Sequence, residues 1–468
     1  MSSSILESEI QAHDSTSPDA LHRLVKQVMD NGTATTVAEA EAIFKGYSIA
    51  IHFGSPNNDE VGQQIMLLTT VALAKRVFLG GVTVYGELSR LQKTPLPLGP
   101  TLKDAVLALG ASVGGKPVEA VQILIGDAES PAHGFSVRPV ASGWRGGIVA
   151  GDHSLNFSDR HSLPTAAMFA ASLAVNEAFL HLNGAVPAAG HRSLGLSLWN
   201  LKSDADWLLD DPEEPELIYL PSFLWLIGLG HLGQAYLWGL GLLPYAGDQT
   251  LKMVLQDTDI VTPSTESTSI LTDASMVGLM KTQVVAAWAR RRGFRAEIHE
   301  RLFGPWIKRQ SFEPSVALCG IDNALGRRAL DQAGFDLVLE AGLGHGHRDF
   351  RTMRIHSFPG SRSSQEIWKP KSTQRENIVE NPAYENLLTR GQLDQCGVTL
   401  LAGKAVGAPF VGAAAAALLL SELLRVLHSG GLNQLIDFDL LSVDERLIVP
   451  NKGNFMEFNP GFVLAQRP

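Results

Sequence analysis

The chain is 468 residues long, 45 % apolar and 18 % charged, with a net charge of −10. That length exceeds one ordinary core and predicts two domains or more, and the acidic balance argues against a broad nucleic-acid-binding surface. Two cysteines exclude a disulfide framework and any four-cysteine zinc site, so no structural zinc is expected and a reducing, cytoplasmic setting is the simplest reading.

Residues 1–20, MSSSILESEIQAHDSTSPDA, are polar, lack the apolar run of a signal peptide and read as a disordered tail. An α/β half is expected over 21–200. SIAIHFG (48–54), AVQILIGDA (120–128) and GWRGGIVAG (143–151) read as strands. DEVGQQIMLLTTVALAKRVFLGG (59–81) has helical spacing and a glycine stop, and PTAAMFAASLAVNEAFLHLNG (164–184) is a helix with proline at its start and Asn-Gly at its end. This half has no glycine-rich phosphate loop. The acidic, proline-bearing LKSDADWLLDDPEEPE (201–216) reads as a linker, and equally as a solvated surface loop. The half 217–468 alternates, with strands at 222–227, 251–256, 295–301, 315–321 and 336–341 and helices at 231–242, 278–292, 323–334 and 406–428. Such alternation predicts a parallel sheet covered on both faces, a doubly wound α/β fold. The apolar stretches 164–183, 221–245 and 405–427 are each interrupted, by Asn176 and Glu177, by GLGHLG and by SELLRVL. They read as core elements, and no membrane partner is expected.

FLWLIGLGHLGQAYLWGL is an apolar strand, then Gly228, Gly230 and Gly233, then a helix. Glycines there allow a tight turn and close backbone approach to phosphate, and the helix N-terminus offers free N–H groups to an anion. An acidic residue should end the next strand; Asp257 does so, with Asp259 two residues on. The glycine pattern alone is weak, since any doubly wound domain needs a tight strand-to-helix turn. NAD and ATP both fit these features. Lys281, opening a helix, and Asp322 with Asn323, ending a strand, add a point charge and a hard oxygen ligand at the sheet's carboxyl edge, which suits a triphosphate and its Mg2+. Taken singly, Lys281 is a solvated helix residue and Asp322 a helix N-cap.

D-x-D, then V, then S, then G-x-x-K, then a strand ending in D-N: over residues 218–430 this order resembles the ThiF/MoeB/ubiquitin-activating-enzyme superfamily. The resemblance implies adenylation of the C-terminal carboxylate of a ubiquitin-like or sulfur-carrier protein. It implies that Gly228, Gly230 and Gly233 cradle ATP, that Asp257 and Asp259 hold the ribose side, that Lys281 contacts phosphates, and that Asp322, beside Asn323, binds Mg2+. The sequence departs from the family at STESTS, where Thr265, Thr268 and Ser269 stand in place of an Asn, an Arg and a Gln. The phosphate-binding arginine is missing there, and another from the N-terminal half is a candidate substitute. The paired CxxC zinc motifs of many members are absent.

A lone cysteine is more often a small buried hydrophobe than a nucleophile. Cys319, inside VALCGID, reads as core. Cys396, in RGQLDQCGVTLLAG before a small-residue helix, resembles the catalytic cysteine of the activating enzymes of autophagy and ufmylation. A helix N-terminus favours a thiolate, which can attack an acyl adenylate to give a thioester. The polar segment 344–395 reads as a crossover loop over a threaded carrier tail, or as a disordered surface loop. His345 and His347 form an HxH pair without a third metal ligand. By the same resemblance residues 21–200 would be an inactive adenylation-like copy. FAASLAVNEAFLHLNG matches AAAALLLSELLRVLHSG in kind, giving an intrachain pseudo-dimer and leaving a homodimer open. The layout is most similar to the activating enzymes of bacterial ubiquitin-like conjugation operons, which are linked to antiphage defence. The implied partners are a ubiquitin-like protein and a conjugating enzyme. Three rival readings remain: adenylation with transfer to a sulfur donor, an amine or a tRNA base and no thioester; an NAD(P)-dependent oxidoreductase using GLGHLG; and a catalytically dead scaffold, which STESTS would suit.

Overall fold

The computed structural model describes residues 18–466, apart from 56–57, 115–120, 130–133, 154–159, 203, 248, 370–380, 454 and 456–457. The disordered-tail reading therefore falls almost wholly outside the described residues.

The first sheet holds β1 (Ser48–Phe53), β2 (Gly81–Gly86), β3 (Ser112–Val113), β4 (Val121–Ile125), β5 (Ser136–Ser142), β6 (Arg145–Ala150) and β7 (Leu194–Ser197), in the order β3-β2-β1-β4-β5-β6-β7. Its first five strands in space run parallel and the last two pair antiparallel. After a short β8 (Tyr219–Pro221) come β9 (Phe223–Ile227), β10 (Lys252–Gln256), β11 (Arg295–His299), β12 (Val316–Cys319), β13 (Leu337–Leu343), β14 (Thr352–Phe358), β15 (Asn433–Asp439) and β16 (Ser442–Pro450). These eight form a second sheet, ordered β11-β10-β9-β12-β13-β14-β15-β16, while β8 pairs with β17 (Phe462–Leu464). The second sheet is also parallel through five strands and antiparallel beyond. Each half thus repeats the same strand order and the same pairing directions. The chain holds two copies of one doubly wound, Rossmann-like topology.

The duplication extends to the helices. Pro164–Leu182 lies between β6 and β7, and Pro409–Leu427 between β14 and β15; each has 19 residues and proline at its first turn. Both are apolar on all sides, so both must be covered. They pack on each other, with Glu60–Ala74 and His231–Leu242 beside them, as a helical layer shared by the two sheets. Polar contacts cross that layer: Thr165 Oγ1 lies 2.8 Å from Ser421 Oγ, and Trp238 Nε1 donates to Thr69 Oγ1 at 3.1 Å. Each long helix carries a buried glutamate at its fourteenth position, Glu177 and Glu422. Glu177 accepts from Gly190 N at 2.9 Å and Arg192 Nη2 at 2.6 Å; Glu422 accepts from Asn433 N at 2.7 Å and Arg425 Nη1 at 2.5 Å.

Two sequence expectations need correction. Residues 323–334 do not form one helix: Ala324–Arg327 is a single turn, and Leu330–Gln332 a separate 3-10 turn. Segment 344–395 is not a loop throughout. It contains β14, in the middle of the antiparallel part of the sheet, and the helix Pro382–Thr389; residues 370–380 lie outside the described set. Its polar composition hid a strand in which Met353, Ile355 and Phe358 are buried. The acidic segment 201–216 joins the two halves as a mostly exposed stretch, anchored at the buried Trp207 and Glu214, and Glu214 accepts from Trp144 N at 2.8 Å.

Removing the carboxylate in Glu177→Ala strands the Arg192 guanidinium and the Gly190 amide. Urea unfolding should show a loss of about 3 kcal/mol. Asp437→Ala, which removes the half-buried partner of the exposed Arg354, should cost less than about 1 kcal/mol.

Candidate active site

A cavity of about 960 Å3 opens at the carboxyl edge of the second sheet, where β9 and β12 part. This is the switch point of a doubly wound sheet, where chain leaves neighbouring strands in opposite directions and leaves a crevice. Its walls include Gly228 and Gly230, Asp257 and Asp259, Lys281, and Asp322 with Asn323. Sequence positions nearly a hundred residues apart are thereby brought together.

The glycine turn is built by contact. Gly228 has φ +83°, and a Cβ there would sit 2.8 Å from Ile321 Cγ2. Gly233 differs from its expected role, since it does not line the cavity. A Cβ on it would lie 1.9 Å from Gly228 O, so its work is to let the helix press against the turn. Gly230 is the open one; its Cβ would meet only Lys281 Nζ, at 3.9 Å.

Asp257 braces this turn. Its Oδ2 accepts from Leu229 N at 2.6 Å, and its Oδ1 from Thr258 N at 2.7 Å and Asp259 N at 2.8 Å. Lys281 is no solvated helix residue: its side chain is 13 % exposed and Nζ donates to Asp259 Oδ2 at 2.8 Å. Asp322 is exposed on the cavity wall. The N-cap of the following turn is Asn323, whose Oδ1 accepts from Gly326 N at 2.7 Å, so that oxygen is committed to the fold and Asp322 is left free of capping.

Other residues of the cavity were not legible in the sequence. Arg23 comes from the N-terminal segment; its Nη2 donates to Ser264 Oγ at 3.1 Å and its backbone N to Ser267 Oγ at 3.1 Å. Burial holds its guanidinium below the usual arginine range, and the nearby carboxylates of Asp19 and Asp322 oppose that shift. Arg327 donates from Nε to Ile321 O at 2.8 Å and sits 3.0 Å from buried Glu340. His231 opens the helix after the glycine turn, its ring against Gly412. Burial pushes it down to about 4, so it is neutral at pH 7. Only fold-level contact reveals Arg23, because 241 residues separate it from Ser264.

Cys319 is buried in β12, where burial pushes its thiol up to about 12. Cys396 is exposed, the second residue of the helix Gln395–Ala402, which Asp394 caps by accepting from Gly397 N at 2.7 Å. It does not line the cavity; the chain reaches the rim at Lys404, roughly 12 Å further along at helical rise. His345 lines the cavity, and among the described residues no three His, Cys, Asp or Glu side chains cluster as a metal site. A Mg2+ ion held by one carboxylate and phosphate oxygens needs no such cluster.

At the matching edge of the first sheet an arginine bridges the loops. Arg138 Nη2 donates to Ala128 O at 2.8 Å and Gly151 O at 3.1 Å, and Nη1 bonds Gly126 O. A Cβ on Gly54, which follows β1, would lie 2.3 Å from Ala128 N.

A duplicated doubly wound chain with this edge cavity matches two family models, the BilD N-terminal domain over residues 48–198 and the BilD C-terminal domain over residues 220–430. It is 45 % identical over 420 residues, 88 % of this chain and 89 % of the relative, to the bacterial E1-like protein BilD of Collimonas sp. (strain OK412). The chain therefore belongs to the BilD family of bacterial E1-like proteins. Among solved structures, Escherichia coli MccB aligns at 14 % identity with a TM-score of 0.34, covering 50 % of this chain and 62 % of MccB. MccB with ATP aligns at 14 % identity and a TM-score of 0.32, covering 50 % of this chain and 64 % of MccB. The matched part is thus less than two thirds of MccB's length.

Gly233→Ala should lower the melting temperature by several degrees, since its Cβ collides with backbone. Gly230→Ala, whose Cβ meets open space, should melt within a degree or two of the parent. Differential scanning calorimetry of the two variants checks both.

Proposed function

We propose that this protein activates the C-terminal carboxylate of a ubiquitin-like protein with ATP and carries the acyl group onward as a thioester on Cys396. The observation that carries the reading is the convergence on one cavity of a glycine turn, Lys281, Asp322 and Arg23. The residues fit a triphosphate: backbone amides at an open Gly230, a buried ammonium, and a free carboxylate at the far wall. Arg23 supplies, from the other half, the cation that STESTS lacks.

In this reading Gly228 and Gly230 approach the phosphates and Gly233 keeps the turn tight. Asp257 holds the turn and, with Asp259, faces the ribose side. Asn323 orients Asp322. Mg2+ at Asp322 would offset phosphate charge. A carrier carboxylate oxygen attacks the α-phosphorus and pyrophosphate leaves, with Lys281 and Arg23 countering the charge that develops. The Cys396 thiolate then attacks the acyl carbon and AMP leaves. The first half, its edge bridged by Arg138, is the inactive copy, and a conjugating enzyme receives the acyl group. Gly344, His345 and Val406 also line the cavity, and in this reading the carrier's tail enters past them.

The position of Cys396 outside the cavity favours one second reading, in which the adenylate passes directly to another acceptor. Intact mass under non-reducing conditions separates the two. The protein is mixed with Mg-ATP and the small ubiquitin-like protein encoded beside its gene, with and without thiol. A thiol-sensitive adduct of one carrier mass is expected, lost in Cys396→Ala with pyrophosphate release retained. Asp322→Ala should lose both signals. An adduct that survives in Cys396→Ala would rule out the thioester assignment, and carrier-dependent pyrophosphate release without any adduct would establish the second reading.

A further inference from the structure

We propose that the Ser269 hydroxyl donates to the anionic ligand of the cavity and that Arg76, from the other half, is the positioning residue that holds it there. The proposal rests on the ATP reading above.

Ser269 lines the cavity, is 1 % exposed, and its Oγ has no hydrogen-bond partner among the described residues. A hydroxyl stripped of water and left unpaired is costly, so a buried one belonging to a residue of the cavity wall points to a ligand that pairs it. The cations of the same cavity, Lys281 and Arg23, make that ligand an anion.

The turn that presents Ser269 is wrapped around Arg76. Arg76 Nε donates to Glu266 O at 3.0 Å, and Nη2 donates to Ile270 O at 3.1 Å and to Thr272 O at 2.7 Å. Nη1 donates to Ala72 O at 2.7 Å, which ties the guanidinium to its own helix. Three main-chain carbonyls on both sides of Ser269 are thus fixed by one planar fork. A lysine ammonium is a point charge and cannot span the same three acceptors. Burial draws the Arg76 guanidinium down to about 10, which leaves it charged at neutral pH. From the other side Gln234 Oε1 accepts from Leu271 N at 2.9 Å and Thr272 Oγ1 at 3.0 Å, while its Nε2 donates to Leu229 O at 3.2 Å in the glycine turn. The Ser269 turn, the glycine turn and the other half are therefore joined through two side chains.

The test is calorimetric titration of the full chain with Mg-ATP, beside thermal unfolding without nucleotide. Ser269→Ala should bind about tenfold more weakly, the effect of one hydrogen bond to a charged group, with its melting temperature unchanged or raised. A structural hydroxyl would give the opposite pattern. Arg76→Lys should weaken binding by a similar factor, and the Ser269→Ala, Arg76→Lys double variant should bind no more weakly than either single one, because both act through one hydroxyl. Unchanged affinity in Ser269→Ala overturns the ligand assignment. A lower melting temperature with unchanged affinity in Arg76→Lys overturns the positioning role. If Arg76→Lys does not fold, Arg76→Gln, which keeps a planar donor but cannot span the three carbonyls, serves in its place with the same two outcomes. Parent protein that binds no Mg-ATP overturns the ATP reading itself, and this assignment with it.

Discussion

Everything in this molecule depends on two long apolar helices burying each other. Pro164–Leu182 and Pro409–Leu427 have mean hydropathies of 1.2 and 1.9, long and apolar enough by those measures to cross a bilayer, yet each is 89 % buried within the protein. A helix without a polar face has no side to offer water. Each takes part of its cover from its own half and part from the other half's long helix, so the two cores meet in one layer. The buried glutamate at the same position of both helices sharpens the point. A carboxylate there is tolerated only because an arginine and a backbone amide meet it in each copy.

That packing brings the first half against the cavity of the second. Arg23 and Arg76 both leave the first half and end on the 264–272 segment. The segment is rich in serine and threonine, short side chains that reach their own backbone but not far into a cavity. The segment lacks the long Asn, Arg and Gln that the superfamily resemblance implies, so on the proposed reading its cation comes from elsewhere. The adjacent copy is the nearest source, and the helical layer fixes its distance. The site is thus a product of the interface rather than of one half.

Much of this was written in the chain locally. The strand before Gly228, the acid after β10 and the lysine after Gly278 follow one another at short range, and local order is what sequence periodicity reports. The same holds for the two 19-residue helices, whose proline starts and Ser/Asn-Glu pairs look alike. What failed to show was of two kinds. β14 hides because its buried positions include the polar His356 and Ser357 beside Ile355 and Phe358, so neither an apolar run nor a clean alternation marks it. Arg23, Arg76 and Gln234 act over hundreds of residues or through backbone carbonyls, and no spacing rule marks a carbonyl acceptor. Gly233 was assigned to the ligand by motif, whereas its contact is with Gly228.

Joining the copies in one chain has a physical consequence. Two separate subunits must pay association entropy at every encounter, and must present the same surface to each other if they are identical. A covalent link replaces that with a high effective concentration, and it releases the copies from identity. On the proposed reading the second half keeps the open turn at Gly230, while the first bridges its own edge with Arg138 and turns arginines outward to its neighbour. The mostly exposed 201–216 segment is anchored by the buried Trp207 and Glu214, which pins the link to the fold at two points. Geometry at the cavity is then set by the same burial that holds the fold, so residues far from any ligand can govern affinity through it.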